Sequence, residues 1–227
     1  TRITQIEGAG TINADIEQVV ADLGGGADTR SYTTTSAVTV DLAAGTASGF
    51  TRIANIENVT GGSGNDTFTG DAASNTFSGG TGTDTVVLPG TAGDYIFGVT
   101  GGNLTVTNRN GLSGTDTLVS IEQLRIGGQD QTIVTNSLGN VGQTLTGGTG
   151  AQINRSDVIL GFGGNDVLNG NGGSDSLFGG TGDDTINGGA GDDTAVWSVG
   201  DGRDLVDGGT EDTVGDTFVV NGDGTSE

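Results

Sequence analysis

The sequence predicts an all-β fold in which tight turns and short strands wind into flattened coils. A nine-residue phrase recurs four times without a gap between residues 161 and 196, and a short fixed period is the signature of a repeat architecture. Elsewhere apolar residues alternate with polar ones, as at Val38, Val40 and Leu42, and a period of two is typical of strands. No segment shows a convincing helical period.

The composition limits the fold and the possible partners. The chain has 47 Gly, and its 29 acidic residues against 7 basic ones, all Arg, give a net charge of −22. With only 31% apolar residues, such a composition alone would indicate disorder, but the regular placement of the apolar residues favours strands. The Arg residues form no cluster, which excludes nucleic acid as a partner. No apolar run is long enough to span a membrane.

The residue types that are missing narrow the chemistry. Cys and His are absent, which excludes thiolate and imidazole metal sites and leaves oxygen ligands. Oxygen ligands in an acidic chain favour a hard cation, and Ca²⁺ is the first candidate. Without Cys, His or a Ser in a GxSxG setting, nucleophilic catalysis has little support, and we predict a protein that is not an enzyme. The absence of Met indicates a fragment or a processed piece of a longer protein.

The nonapeptide has Gly at positions one, two and four, Asp at position six and an apolar residue at position eight. Its units begin at residues 161, 170, 179 and 188 in one block and at 61, 70 and 79 in an earlier block. In the unit at 70, Asn75 replaces Asp, so we expect a spacer without a ligand. Looser copies occupy residues 111–119, 152–160, 199–207 and, with an insertion, 208–220.

The nonapeptide predicts an oxygen cage followed by a short strand. Gly at three of the first four positions indicates a tight turn that directs carbonyl oxygens to one side, and the Asp adds a charged oxygen beside them. Positions seven to nine form a strand whose middle side chain alone enters a core. If each unit is one turn and one strand, two units complete a coil, and units two apart stack on the same side.

This stacking brings aspartates together in pairs that repel unless a cation lies between them. The predicted pairs are Asp66 with Asp84, Asp166 with Asp184, and Asp175 with Asp193. The glycines predicted to line the same metal sites are Gly61, Gly62, Gly64, Gly79, Gly80, Gly82, Gly161, Gly163, Gly164, Gly170, Gly172, Gly173, Gly179, Gly180, Gly182, Gly188, Gly189 and Gly191. The looser copies add Asp116, Asp157, Asp204 and Asp216.

The nonapeptide resembles the RTX, or hemolysin-type, calcium-binding repeat, whose consensus is GGxGxDx followed by a large apolar residue and one more. The resemblance implies a parallel β-roll, a calcium-stabilised solenoid that folds on binding several Ca²⁺ ions, in proteins exported by type I secretion. It covers residues 161–196 and 61–87, under a third of the chain. Three departures stand out: Phe162 and Asn171 replace the second Gly, and Ala195 weakens the apolar position of its unit.

The remaining segments are predicted to be strands and connectors. An Ile-Glu phrase recurs at residues 1–9, 13–20, 51–59 and 119–126, and residues 94–111 read as a β-hairpin with its turn at Gly101-Gly102. The Glu of these phrases, Glu17, Glu57 and Glu122, could be a ligand or half of a glycosidase pair, but recurrence favours a solvated residue beside a buried Ile. The predicted organisation is a β-rich segment 1–60, a first repeat block 61–87, a β-hairpin connector 88–146, a second repeat block 147–220 and a truncated tail 221–227.

The expected function is calcium-coupled folding. We expect a non-catalytic segment of a larger secreted bacterial protein, outside the cell or at its surface, that is empty in a low-calcium cytosol and filled outside. One alternative is an accessory module of a secreted protease, lipase or alginate-modifying enzyme. Another is a surface-layer or adhesin segment that assembles through Ca²⁺, with other copies of itself, cell-surface polysaccharide or a host or matrix surface as partners.

Overall fold

The computed structural model describes residues 20–110, 114–135, 143–148, 154–210 and 214–222. The Ile-Glu phrases of residues 1–9 and 13–19, with Glu17, and the tail beyond residue 222 lie outside these ranges. Within them the helical structure is one turn of 3-10 helix, Ala92–Asp94, and no helix is long and apolar enough to cross a membrane.

The described chain is otherwise built from short strands. In chain order these are β1 (Val20–Asp22), β2 (Thr29–Ser31), β3 (Thr39–Asp41), β4 (Thr46–Ala47), β5 (Arg52–Ala54), β6 (Asn58–Gly62), β7 (Thr67–Thr69), β8 (Thr76–Gly80), β9 (Thr85–Leu88), β10 (Tyr95–Thr100), β11 (Asn103–Asn108), β12 (Thr115–Val119), β13 (Gln123–Ile126), β14 (Gln129–Thr135), β15 (Thr144–Thr146), β16 (Asp157–Leu160), β17 (Val167–Gly172), β18 (Ser176–Phe178), β19 (Thr185–Ala190), β20 (Thr194–Ser198), β21 (Leu205–Thr210) and β22 (Thr217–Asn221).

The strands form two compact units. The first contains the described residues up to Val87 together with Asn103–Ile121, and the second contains Leu88–Gly102 together with the described residues from Glu122 onward. The segment 88–146, predicted as one connector, therefore contributes strands to both units. Strands β10 and β11 flank the predicted turn, where Gly101 and Gly102 have φ of 60° and 84°.

The first unit is a small roll of parallel strands. Strands β2, β6, β8 and β12 pair in parallel in that order, and so do β3, β7 and β9. Residues 18 apart face each other, as Val59 faces Phe77 and Phe68 faces Val86. Three further pairings extend these ladders: β11 runs antiparallel to β12, β4 runs antiparallel to β3, and β1 pairs with β5 in parallel.

The second unit has the same construction with more coils. Strands β15, β17, β19 and β21 form one parallel ladder, and β14, β16, β18, β20 and β22 form the other. Leu168 faces Ile186 and Leu177 faces Ala195, again 18 residues apart. Two nonapeptides therefore complete one coil, which confirms the predicted stacking rule and the parallel β-roll.

The strands of the two ladders differ in length. Strand β18 has the three residues predicted for positions seven to nine, but β17 and β19 have six. Pairing in that ladder continues past position nine, where Asn171 faces Gly189 and Gly172 faces Ala190. The predicted three-residue strand is therefore correct for β18, whereas its ladder neighbours β16 and β20 have four and five residues.

Position eight supplies the inner core, as predicted. In the second unit this core consists of Leu145, Ile159, Leu168, Leu177, Ile186 and Ala195, all buried. In the first unit Phe68 and Phe77 stack with ring centroids 5.5 Å apart. Each coil adds two such side chains, so the hydrophobic gain grows with the number of stacked coils.

One outer face of the second unit is apolar and largely covered, which the repeat pattern does not predict: Leu160 and Val196 are buried and Phe178 is half-buried. At position nine the ladder of β16, β18 and β20 carries Leu160, Phe178 and Val196, whereas the opposite ladder carries Thr146, Asn169 and Asn187. Residues that precede this roll by some 60 positions cover the apolar face. Phe97 packs edge-on against Phe178 at 4.8 Å, and Tyr95 is buried with its hydroxyl donating to the Pro89 carbonyl.

Candidate metal centre

The position-six aspartates form ladders along the rolls. The backbone N–H of each aspartate donates to Oδ1 of the aspartate one coil later: Asp66 to Asp84 at 2.7 Å, Asp166 to Asp184 at 2.8 Å, and Asp175 to Asp193 at 2.8 Å. These are the three predicted pairs, and the structure brings each of them together. All six side chains are buried.

The looser copies extend the same ladders. The N–H of Asp184 donates to Asp204 at 3.1 Å, and that of Asp193 donates to Asp216 at 2.9 Å. Toward the start of the roll, the N–H of Asp157 donates to Asp175 at 2.7 Å. One side of the second roll therefore carries the row Asp166, Asp184 and Asp204, and the other carries Asp157, Asp175, Asp193 and Asp216.

Glycine is required at position one because the carboxylate of the aspartate in the same unit lies where a Cβ would be. A Cβ on Gly161 would lie 2.7 Å from Oδ2 of Asp166 and 2.5 Å from the carbonyl oxygen of Gly179. The same crowding by the aspartate of the unit is found at Gly61, Gly79, Gly170, Gly179 and Gly188. Position one thus holds a carboxylate oxygen and a carbonyl oxygen of the next coil close together.

Positions two and four hold further carbonyl oxygens in columns. A Cβ on Gly182, where φ is 138°, would collide with the carbonyl of Gly164 one coil earlier, and Gly82, Gly189 and Gly191 abut carbonyls in the same way. The remaining predicted glycines divide between two places: Gly62, Gly64, Gly80, Gly164, Gly173 and Gly180 hold position two or four of their turns, and Gly163 and Gly172 hold position three. The turns therefore present backbone oxygens beside each aspartate pair.

Two turns keep this geometry without glycine at position two. Phe162 and Asn171 have φ of 68° and 73°, in the left-handed region that a side chain disfavours. Asn tolerates this region better than most residues, and the Asn171 amide donates to the Gly148 carbonyl at 3.1 Å. Phe has no comparable compensation, so its turn is strained.

The carboxylates are left unsatisfied by the protein itself. Oδ2 of Asp166, Asp175, Asp184 and Asp204 is buried and accepts no hydrogen bond from the described residues. Burial raises the pKa of Asp175 to about 7. The hydrogen bond from the Asp157 N–H lowers this pKa, the charges of Asp193 and Asp157 raise it, and the charge of Arg155 lowers it. Burial likewise raises the pKa of Asp184 to about 6 and raises those of Asp166 and Asp204. Burying an anionic oxygen that has no hydrogen-bond donor is unfavourable unless a cation neutralises it.

The donor set suits a hard divalent ion. Among the described residues no three acidic side chains converge on one point, so the carboxylates act in pairs and the remaining ligands must be other oxygens. The carbonyl columns of the turns supply those oxygens, and Ca²⁺ is bound in proteins by mixed carboxylate and carbonyl oxygens. The residues present therefore fit Ca²⁺ held between neighbouring coils.

The first roll is different on its second side. The N–H of Asn75 donates to Oδ1 of Asp116 at 2.8 Å, so Asn75 occupies the structural place of an aspartate. Its amide donates to Oδ1 of Asp71 at 3.2 Å, and its Oδ1 accepts from the Asp71 N–H at 3.0 Å. Burial raises the pKa of Asp116 to about 6. This turn is therefore closed by hydrogen bonds between its own residues, and that the unit at 70 is a spacer without a ligand stays a prediction.

Sequence reasoning missed the glycine that starts one turn. Gly147 stands to Asp157 as Gly161 stands to Asp166, because a Cβ there would lie 2.6 Å from Oδ2 of Asp157. An insertion separates Gly147 from this aspartate, so a strict nine-residue frame misses it, and the signal was the GG pair at residues 147–148. Gly208 has the same relation to Asp216, in the copy at residues 208–220 that the sequence predicts with an insertion.

The Ile-Glu phrase has a structural role where it is described. Ile56 is buried, and the Glu57 carboxylate accepts the N–H of Asp28 at 2.8 Å. Glu122 is half-buried. Among the described residues, neither Glu57 nor Glu122 belongs to a cluster of three acidic side chains.

Comparison with known proteins identifies the repeats. The family model of the RTX calcium-binding nonapeptide repeat matches four copies, within residues 54–86 and 156–195. None of the curated proteins matches the chain significantly. Among solved structures, the chain is similar to the extracellular lipase LipA from Serratia marcescens at 20% identity and a TM-score of 0.36, and the likeness covers 77% of this chain and 33% of the lipase chain.

Proposed function

We propose that this chain, which carries calcium-binding RTX repeats, is a non-catalytic segment that folds on binding Ca²⁺ outside the cell as part of a larger secreted protein. The single observation that carries the proposal is that, among the residues the structure describes, the buried Oδ2 atoms of Asp166, Asp175, Asp184 and Asp204 in the second roll have no hydrogen-bond donor. Oδ1 of each of these carboxylates accepts a backbone N–H of the preceding coil. The same side chain therefore stacks the coils and creates the need for a cation.

The coupling between folding and binding follows from this double role. Stacking a coil removes an aspartate from water and places it beside the aspartates of neighbouring coils, which opposes folding at neutral pH. Bound Ca²⁺ makes the same stacking favourable, because it neutralises the pair of aspartates and satisfies Oδ2. Extracellular calcium modules bind at about 10⁻⁴ to 10⁻³ M, so a site of this class is empty in the cytosol and filled outside.

A calcium titration of the 227-residue chain tests the proposal. We expect far-ultraviolet circular dichroism to show little strand signal in chelator and a cooperative gain at about millimolar Ca²⁺. Trp197 lies in β20 of the second roll, where its Nε1 donates to the Gly202 carbonyl at 3.0 Å, so its fluorescence reports on that roll. Mg²⁺ at the same concentration is the control, because it demands a stricter octahedral geometry. An unchanged strand signal between chelator and millimolar Ca²⁺ would refute the proposal.

A second candidate is calcium-dependent self-association through the last coil of the second roll. Phe218 and Val220 of β22 are 53% and 59% exposed, and Leu205 of β21 is 68% exposed. A cavity of about 160 Å³ opens beside them, lined by apolar position-eight residues such as Ile186 and Val206. Light scattering with and without Ca²⁺ separates this candidate from folding within one chain, because only self-association raises the molecular mass.

A further inference from the structure

The carboxylate of Asp157 differs from the other aspartates of the second roll. It is fully buried, and both of its oxygens have partners. Oδ2 accepts the N–H of Gly148 at 2.7 Å, and Oδ1 lies 3.2 Å from both Nε and Nη2 of Arg155. The next aspartate of the same row, Asp175, has a buried Oδ2 that accepts no hydrogen bond from the part of the chain that the structure describes. The need for a bound cation therefore begins after Asp157.

Arg155 occupies the place that glycine holds in the regular turns. It lies two residues before its aspartate, as Gly164 and Gly182 lie two residues before theirs. Its backbone keeps the regular stacking, because a Cβ on Gly173, one coil later, would lie 2.5 Å from the Arg155 carbonyl oxygen. Only the side chain is new, and it turns back onto the carboxylate of its own turn.

We propose that Arg155 is a built-in cation that neutralises Asp157 through Oδ1 while the Gly148 N–H satisfies Oδ2, so that the first coil of this row forms without metal and the calcium-dependent coils assemble on it. The inference rests on the proposed function, in which Ca²⁺ satisfies the later aspartates. A guanidinium is charged at every accessible pH and donates from a fixed planar fork, so it neutralises a carboxylate permanently.

The position of Asp157 gives this ion pair a role in assembly. All four residues of β16, Asp157–Leu160, are buried, and the strand pairs with β14 on one side and β18 on the other. The N–H of Asp157 donates to Asp175, so the carboxylate of the next coil docks on a turn that Arg155 has already neutralised. The order of assembly in this row is then Asp175, Asp193 and Asp216.

Hydrogen exchange followed by mass spectrometry on the whole 227-residue chain tests the inference. In chelator, we expect the amides of β16 to exchange at least about tenfold more slowly than those of β18, β20 and β22. In Arg155→Gln this difference is lost, and protection of β16 requires millimolar Ca²⁺. Arg203→Gln is the matched control, since it removes the same charge from an exposed side chain of the same roll and should leave β16 protected.

The outcomes separate this inference from the proposed function. If the wild-type chain shows no response to Ca²⁺, the proposed function fails. If the wild type responds but β16 of Arg155→Gln stays protected in chelator as in the wild type, only the role of Arg155 is refuted. Arg155→Lys keeps the charge and should retain protection of β16. If Arg155→Gln and Arg155→Lys both fail to gain protection at saturating Ca²⁺, the charge of Arg155 is not what matters and the inference is wrong.

Discussion

Replacing Asp175 by Asn should stabilise the metal-free roll and weaken the calcium-bound one. Asp175 is 1% exposed, its Oδ1 accepts the N–H of Asp157, and its buried Oδ2 has no donor among the described residues. Burial raises its pKa to about 7, against an ordinary 3.8. Keeping this group charged at pH 8 in the metal-free fold therefore costs about 4 kcal/mol, which an uncharged amide avoids.

The pH dependence follows from the direction of this shift. A carboxyl whose pKa is raised by folding stabilises the fold most when it is protonated in both states, below about pH 4. That contribution is lost as the pH rises from 4 to about 7. The difference in free energy of unfolding between Asp175→Asn and the wild type should thus approach 4 kcal/mol at pH 8 and vanish near pH 4.

Calcium should reverse the effect, because Asp175 lies between two neighbouring aspartates of its row. In Asp175→Asn we expect fewer bound ions by calorimetry and a folding midpoint at least about tenfold higher in Ca²⁺, which corresponds to about 1.4 kcal/mol. The metal-free arm is measured by circular dichroism in an osmolyte titration, which drives folding without metal. Asp207→Asn removes an exposed charge of the same roll and is the control. Equal destabilisation of Asp175→Asn with and without calcium would refute the reasoning.

Two further substitutions test particular turns. Phe162→Gly should be more stable than Phe162→Ala by about 1 kcal/mol in urea unfolding at saturating Ca²⁺. Both substitutions remove the ring, but only Gly adopts a φ of 68° without strain. Equal stabilities would show that the backbone of this turn changes conformation to relieve the strain. Asn75→Asp should lower the metal-free stability of the first unit by about 3 kcal/mol and add one bound Ca²⁺, because it buries a carboxylate between Asp71 and Asp116. Thr83→Asp, an exposed position of the same unit, is its control, and an unchanged ion count in Asn75→Asp would contradict the prediction.

The register of the rolls could be predicted because it depends on a period alone. A nine-residue unit with one apolar side chain admits one strand and one turn, so units two apart must stack, and the backbone N–H of Asp166 meets Asp184 as expected. The two-residue slip before residue 199 appears in the structure as a 20-residue spacing between Ile186 and Val206. Local insertions shift the spacing but leave the stacking order intact.

Contacts between residues far apart in the sequence could not be predicted. Asn75 meets Asp116 across 41 residues, because β12 returns to pair with β8 after the intervening strands β9, β10 and β11. The ring of Phe178 packs against Phe97, which belongs to no repeat. The ion pair between Arg155 and Asp157 could not be predicted either, since an insertion in this turn displaces Gly147 from the nine-residue frame. In each case a partner outside the repeat decides the environment of a repeat residue.

The two units differ in how much buried charge they leave for a cation. In the first roll, Oδ2 of Asp66 accepts the Gly62 N–H at 2.8 Å, and on the other side the uncharged Asn75 replaces a carboxylate. In the second roll, Asp166, Asp175, Asp184 and Asp204 each keep a buried oxygen that accepts no hydrogen bond from the described residues. Because burying these charges opposes stacking, we expect the proposed requirement for calcium to be greater in the second unit. Under the proposed coupling, the number of unsatisfied carboxylates, rather than the number of nonapeptides, sets how strongly each unit depends on the ion.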